Sequence, residues 1–200
     1  MMNNFINSWK NKKVFEKQLE LNKYEFNNVY PQHWVDFINT IKLLDISNIL
    51  DVGCGSGIYY KLCKKEIPNI KYFGIDYSSD AIDIAKKEYS EINFDVKSID
   101  DLTEDYFDKF DLIHMGAVLD ILPNGDEVLE RILSLKPKKI FIGRIKFTHD
   151  PSHYTEYMAY DEIMTYEYKH NLLNFTNLSK KYNYNIKFIT NNVLLTYEPK

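Results

Sequence analysis

The sequence predicts an open, doubly wound α/β sheet of seven strands, mostly parallel and ending in an antiparallel hairpin. Short apolar runs alternate with helix-like segments from residue 48 to residue 182. Several of those runs have few polar interruptions, the pattern of parallel strands buried on both faces. The last two β-rich runs, 184–190 and 192–198, are separated by Asn191 alone. That is too close for a helical crossover, so they pair antiparallel.

The elements follow in order. Phe5, Trp9, Phe15 and Leu19 fall at helix-compatible separations amid Asn and Lys, which predicts one or two amphipathic helices. Pro31 suits a helix first turn, and Trp34, Ile38 and Ile41 form one apolar stripe behind it. Residues 1–45 read as a helical cover and 46–200 as the sheet domain. Within the latter, Ile49-Leu50-Asp51-Val52 is a first strand ended by glycines, and 57–66 a helix. Residues 72–75 form a second strand, and Ser78-Ser79 caps a helix through Tyr89, with Asp80 and Asp83 in its favourable first turns. Strands at 92–96, 110–115 and 138–146 follow, with helices around 127–135 and 172–182.

Composition bounds the function. Two hundred residues, 44% apolar and 27% charged, suffice for one globular domain with a core. A net charge of −4, from 25 basic and 29 acidic residues, argues against broad nucleic-acid binding, which needs many phosphate-neutralising cations. No stretch approaches the ~18 apolar residues of a membrane span. Met1-Met2-Asn3-Asn4 is not a basic segment leading into an apolar one, so no signal peptide is expected. Cys54 and Cys63 fit neither CxxC nor a disulfide framework, which predicts a reduced, cytoplasmic protein. The excess of Lys, Asn, Ile and Tyr is a compositional bias that explains most of the 15% aromatic content. The tyrosines are therefore not read together as a binding surface.

The informative segment is Ile49-Leu50-Asp51-Val52-Gly53-Cys54-Gly55-Ser56-Gly57, followed by Gly74-Ile75-Asp76-Tyr77-Ser78. Glycines between a first strand and its helix let a ligand approach the backbone closely. Asp76, at the end of the second strand, stands where a carboxylate can accept hydrogen bonds from ribose hydroxyls. A dinucleotide would want a third glycine where Ile58 stands, and Asp51 would repel its pyrophosphate. A phosphate-free nucleoside bearing an ammonium and a sulfonium would instead be attracted by Asp51, directly or through water.

These segments resemble the class I S-adenosylmethionine-dependent methyltransferases, over roughly residues 48–146 by motif order. The resemblance implies a Rossmann-like, three-layer α/β/α fold, with S-adenosylmethionine as cofactor and S-adenosylhomocysteine as product. It assigns Gly53, Cys54, Gly55 and Gly57 to the loop around the methionine moiety. It assigns Asp76 to the ribose, Tyr77 to the adenine face, and Ser98 and Ile99 to the adenine edge, where the family often has an acid. Phe110-Asp111-Leu112-Ile113-His114-Met115-Gly116-Ala117 resembles the fourth-strand motif, whose end, His114 to Ala117, faces the methyl donor.

The acceptor is read by elimination. The Asn/Asp-Pro-Pro-aromatic motif of amine-methylating enzymes is replaced by His-Met-Gly-Ala, and neither cysteine is placed as a cytosine-directed nucleophile. No metal site is assigned. Gly143-Arg144-Ile145-Lys146-Phe147-Thr148-His149-Asp150-Pro151-Ser152-His153-Tyr154 emerges at the ligand edge as a candidate acceptor loop. His114 and His149 are candidate catalytic groups, and Arg144 a candidate ligand for a phosphate or uronate. An arginine just past this strand also resembles methyltransferases of bacterial surface-polysaccharide clusters. The expectation is O-methylation of a small molecule, a saccharide or a nucleotide sugar, with no membrane or nucleic-acid partner. An RNA- or protein-directed methyltransferase and a non-catalytic, methyltransferase-like partner subunit are the alternatives. The residues leave the oligomeric state open.

Overall fold

A computed structural model describes residues 7–160 and 163–199. Residues 1–5, on which the signal-peptide reading and the apolar position Phe5 rest, lie outside it. A 3₁₀ turn at Asn7–Lys10 leads into α1 (Lys12–Asn27) and α2 (Gln32–Ile41). The Asn11 side chain caps α1 by accepting from the Lys13 N–H at 3.1 Å. The sheet region follows as β1 (Asn48–Val52), α3 (Ile58–Glu66), β2 (Lys71–Asp76), α4 (Ser79–Glu88), β3 (Asn93–Val96), α5 (Glu104–Phe107), β4 (Leu112–Gly116), α6 (Gly125–Ser134) and β5 (Lys139–Gly143). After it come β6 (Phe147–Thr148), β7 (His153–Ala159), β8 (Ile163–Asn171), α7 (Leu172–Lys181), β9 (Tyr184–Ile189) and β10 (Asn192–Tyr197).

The large sheet runs β3-β2-β1-β4-β5-β10-β9, its first five strands parallel and β10 antiparallel to both neighbours. Alternate residues of each strand sort into two cores. Leu50, Val52, Ile113, Met115, Ile140 and Val193 face one side; Ile49, Leu112, Phe141 and Leu194 face the other. Burial on both faces is what removed the polar interruptions seen in the sequence. The strand order reverses between β1 and β4, and a crevice opens beyond their carboxyl ends. Asp111 sits at the opposite end of β4, accepting from the Ser47 N–H at 2.9 Å and the Ser47 hydroxyl at 2.8 Å. It closes the bottom of the sheet, as its position predicts.

The segment read as a loop is largely a ribbon. β7 and β8 pair antiparallel from His153↔Lys169 to Ala159↔Ile163, and β6 adds a short parallel edge to β8. Tyr166, Tyr168 and His170 alternate into the interior at 4%, 7% and 0% exposure, a period-2 pattern legible in the sequence. Reading the tyrosines as composition alone concealed it. One carboxylate clasps this ribbon to the body. Asp126, on α6, meets His170 Nδ1 at 2.6 Å and accepts from the Ser152 hydroxyl at 2.6 Å and the Asn174 amide at 2.8 Å. At the ribbon's other side the Trp9 indole N–H donates to Thr165 Oγ1 at 2.7 Å, and Lys17 Nζ donates to the Tyr160 carbonyl at 3.2 Å. The N-terminal helix and the ribbon thus meet as one roof over the crevice. Among the described residues no helix is long and apolar enough to cross a membrane.

Candidate active site

The glycine turn and the acid after β2 are built as one unit. The N–H groups of Gly53 and Cys54 both donate to the Ile75 carbonyl, at 2.8 and 3.0 Å. The Asp76 carboxylate accepts from the Gly55 N–H at 3.0 Å and the Ser78 N–H at 2.9 Å. Gly53 and Gly55 take φ of +73° and +51°, where a side chain is strained. A Cβ on Gly53 would also fall 2.6 Å from Val118 Cγ2. At Gly55 the same place is taken by Gln18 Oε1, 2.5 Å away, so glycine at both positions lets Val118 and Gln18 pack on the turn. Asp76 is 6% exposed, and burial, partly offset by backbone N–H donors from Ser78, Gly55 and Tyr77, pushes its carboxyl up to about 6.

This unit forms one wall of a cavity of about 720 Å³. Gly53, Cys54, Gly55, Asp76, Tyr77, Ser98, Ile99 and Arg144 all line it. Gly116 and Ala117 supply the end of β4, while Gln18 and Asn22 of α1 and Tyr157 and Tyr160 of the ribbon supply the roof. Ser98 caps the turn at Ile99–Asp101, its hydroxyl accepting from the Asp100 N–H at 3.3 Å. Asp100 also reaches the cavity, so an acid does stand near the position where the sequence has Ser98. The Cys54 thiol is held well above its usual range by burial and by Asp51 and Asp76, which leaves it protonated at neutral pH.

Five sequence-selected residues do not line the cavity. Asp51 is 1% exposed, and its carboxylate is taken by the Tyr72 hydroxyl and by His114 Nδ1 at 2.7 Å. The parallel register sets Asp51 of β1 opposite His114 of β4, so their side chains meet on the same face of the sheet. The two carboxylates at 51 and 76 consequently do not share the cavity, and the direct attraction expected of Asp51 is replaced by a buried pair. His114 is fully buried, its ring packed 4.0 Å from that of Tyr59 and 4.7 Å from that of Phe37. A Cβ on Gly116 would fall 2.8 Å from His114 Cε1, so the Gly116 backbone seals the imidazole beneath the floor. A group in that position orders β1 against β4; deleting one partner leaves a buried polar group unsatisfied, at a cost of about 1–3 kcal/mol. Met115 is 1% exposed and faces the opposite core. Gly57 enters α3 as its N-cap, at φ +81°, with Phe94 and Tyr89 beside it. His149 is exposed away from the cavity, where its carbonyl accepts from the Asn171 amide at 3.2 Å. His153 likewise turns to its own loop, with Nδ1 2.9 Å from the Pro151 carbonyl.

Arg144 is held by groups that sequence reasoning missed. It stands just past β5 at φ +62°, a strained conformation for a residue with a Cβ. Its N–H donates to Asn192 Oδ1 at 3.0 Å, the Asn192 amide donates to Asp36 Oδ2 at 2.8 Å, and Gln32 donates to Asp36 Oδ1 at 2.8 Å. Asn192 is 0% and Asp36 7% exposed. This chain locks the arginine turn to α2, which also carries His33 into the cavity wall. Burial, then the Arg144 and His114 charges, hold the His33 imidazole down at about 4. Asp36 and Asn192 lie 156 residues apart, and nothing local announces their pairing.

A methyltransferase-domain family model matches residues 45–191, and the chain belongs to this family, the class I S-adenosylmethionine-dependent methyltransferases. Among curated proteins it is 30% identical over 104 residues to a malonyl-[acyl-carrier protein] O-methyltransferase of Ilyobacter polytropus, covering 50% of this chain and 37% of that protein. The chain thus spans well under half the length of the first curated relatives it matches. Among solved structures, human N-acetylserotonin methyltransferase in complex with S-adenosylmethionine superposes with a TM-score of 0.67 at 15% identity, over 100% of this chain and 60% of that one. The sugar N-methyltransferase KedS8 from a Streptoalloteichus species gives 0.61 at 9% identity, over 90% and 93% of the two chains. The site fits the family's cofactor: Gly53, Cys54 and Gly55 line the cavity together with the Asp76 carboxylate, which can accept hydrogen bonds from hydroxyl groups.

Proposed function

We propose that the protein O-methylates a small molecule or a saccharide, residues 1–45 acting as the cover and 46–200 as the methyltransferase domain. The observation that carries this reading is the roofed cavity itself. Asp76, Tyr77 and the glycine turn line one end of it, while Arg144, His33 and Tyr59 line another part. Both roof elements are tied down by hydrogen bonds, which favours an acceptor small enough to enter over a macromolecule that must dock across the mouth.

When bound, S-adenosylmethionine supplies a methyl group made electrophilic by its sulfonium. Asp76 holds the ribose hydroxyls in this reading, Tyr77 packs on the adenine, and Ser98 and Ile99 border it. Gly53 and Gly55 present Cα surface to the methionine portion, their N–H groups being held by the Ile75 carbonyl and the Asp76 carboxylate. The task left to the protein is to align the acceptor oxygen with the methyl and the sulfur at near-contact distance, and to keep out water. The name of one relative above, an O-methyltransferase, supports oxygen as the acceptor atom. A methyl-transfer screen against nucleotide-activated sugars, phospho-sugars and small phenols, read by product mass, tests it. Methylation of RNA or protein, with none of these small acceptors modified, would overturn it.

A further inference from the structure

Five polar side chains converge on the part of the cavity around Arg144: Arg144 itself, His33, Glu25, Tyr59 and Tyr157. The Arg144 charge acts on each of the other four. Yet among the described residues its guanidinium forms no ion pair, and none of the five side chains hydrogen-bonds another. Convergent polar groups left unsatisfied by one another in an aromatic-walled cavity are the mark of a site awaiting a polar ligand. Their arrangement is also costly. Arg144 sits at φ +62°, and the buried Asp36–Asn192 bridge keeps its turn fixed against the helix that carries His33. Strain maintained by dedicated buried partners is characteristic of functional positions.

Resting on the methyltransferase reading above, we propose that this end is an acceptor subsite for a small hydroxylated anion, a sugar or hydroxy acid bearing one carboxylate or phosphate. Arg144 binds the anionic group through its planar fork of donors, Glu25 and the tyrosine hydroxyls hold the hydroxyls, and His33 serves as the base. The charges agree. Burial and the Arg144 charge keep the His33 ring neutral near pH 7, with a lone pair free. An anion on Arg144 cancels the charge that depresses His33 and so raises its basicity when the acceptor arrives. In the transfer the acceptor oxygen bonds to the methyl carbon as the carbon–sulfur bond breaks. The sulfonium leaves as a neutral thioether, and the hydroxyl proton passes to the His33 ring.

The test titrates glucuronate, glucose 6-phosphate and glucose into the complex with S-adenosylhomocysteine by calorimetry. At least one anion should bind tenfold or more tighter than glucose, and the tighter of the two identifies carboxylate or phosphate as the recognised group. Arg144→Gln should abolish that preference while S-adenosylhomocysteine still binds. Should that variant fail to fold, anion affinity in the native protein must fall with added salt while glucose affinity does not. With the tighter anion as methyl acceptor, His33→Asn should lower kcat by roughly 10²- to 10⁴-fold and leave KM unchanged. Equal binding of all three compounds, binding of none, or indifference to Arg144→Gln overturns the subsite and leaves the cofactor site standing. Failure of S-adenosylhomocysteine itself to bind would instead overturn the reading beneath it.

Discussion

Asp76 holds the backbone around it and lines the cavity with the same carboxylate. Its two oxygens hold the glycine turn and the start of α4, and the lone pairs that remain face the cavity. Burial lifts its folded-state pKa to about 6 from an ordinary 3.8, so the ionised form is the costly one. By linkage, its contribution to stability is present at low pH and is lost as pH rises through about 6. Hydroxyl donors on a bound ribose would stabilise that ionised form. S-adenosylhomocysteine affinity is therefore expected to be flat above about pH 7 and to fall as pH drops through 6. Calorimetry across that range checks it: Asp76→Asn should remove the step, and Asp76→Ala should weaken binding at least tenfold at every pH. At this scale the sequence was informative where a residue's role follows from its neighbours in the chain. The placement of Asp76, Gly53 and Gly55 at the cavity is such a case. It failed for Asp51, whose partners Tyr72 and His114 come from two other strands.

The roof is the element on which water exclusion depends. α1 reaches the glycine turn through Gln18, whose Oε1 accepts from the Ser56 N–H at 3.1 Å, and through Asn22, which donates to the Ser56 hydroxyl at 3.2 Å. The ribbon is clasped at Asp126 and joined to the N-terminal segment at Trp9 and Thr165. Thr165 is 0% exposed, so losing the indole N–H strands a buried hydroxyl. Trp9→Phe should cost about 0.5–1.5 kcal/mol, concentrated at this seam. Hydrogen exchange is expected to quicken in β7, β8 and α1 while β1, β4 and β5 keep their protection. Unchanged exchange in the ribbon would show that the seam does not hold the roof. The central strands β1, β4 and β5 were legible as apolar runs, because burial on both faces leaves a local signature. The ribbon carries a weaker alternation, with half its residues facing the cavity or solvent, and a tyrosine-rich composition masked it.

For the whole molecule, the cavity is lined by strand ends, α1 and the ribbon together, so a cofactor bound as proposed should stabilise the fold as a unit. At a hundredfold excess over Kd, S-adenosylhomocysteine should add about 2.7 kcal/mol. For a chain of this size that raises Tm by about 5–10 °C. NADH should give no shift, and Asp76→Ala should abolish the shift with S-adenosylhomocysteine. A shift with NADH alone would contradict the site. By itself the sequence determined the doubly wound sheet, the antiparallel end and the glycine-and-acid edge. Each of these is written in residues close along the chain, through periodicity, turn chemistry and charge. Only the tertiary structure decided that Asp51 is buried against His114, that His149 stands away from the cavity, and that Arg144 and His33 share one wall. Those outcomes depend on strand register and on contacts such as Asp36 with Asn192, formed between residues far apart in the chain. The free energy of such pairings comes from burial that exists only once the sheet is assembled, so no local pattern can encode them.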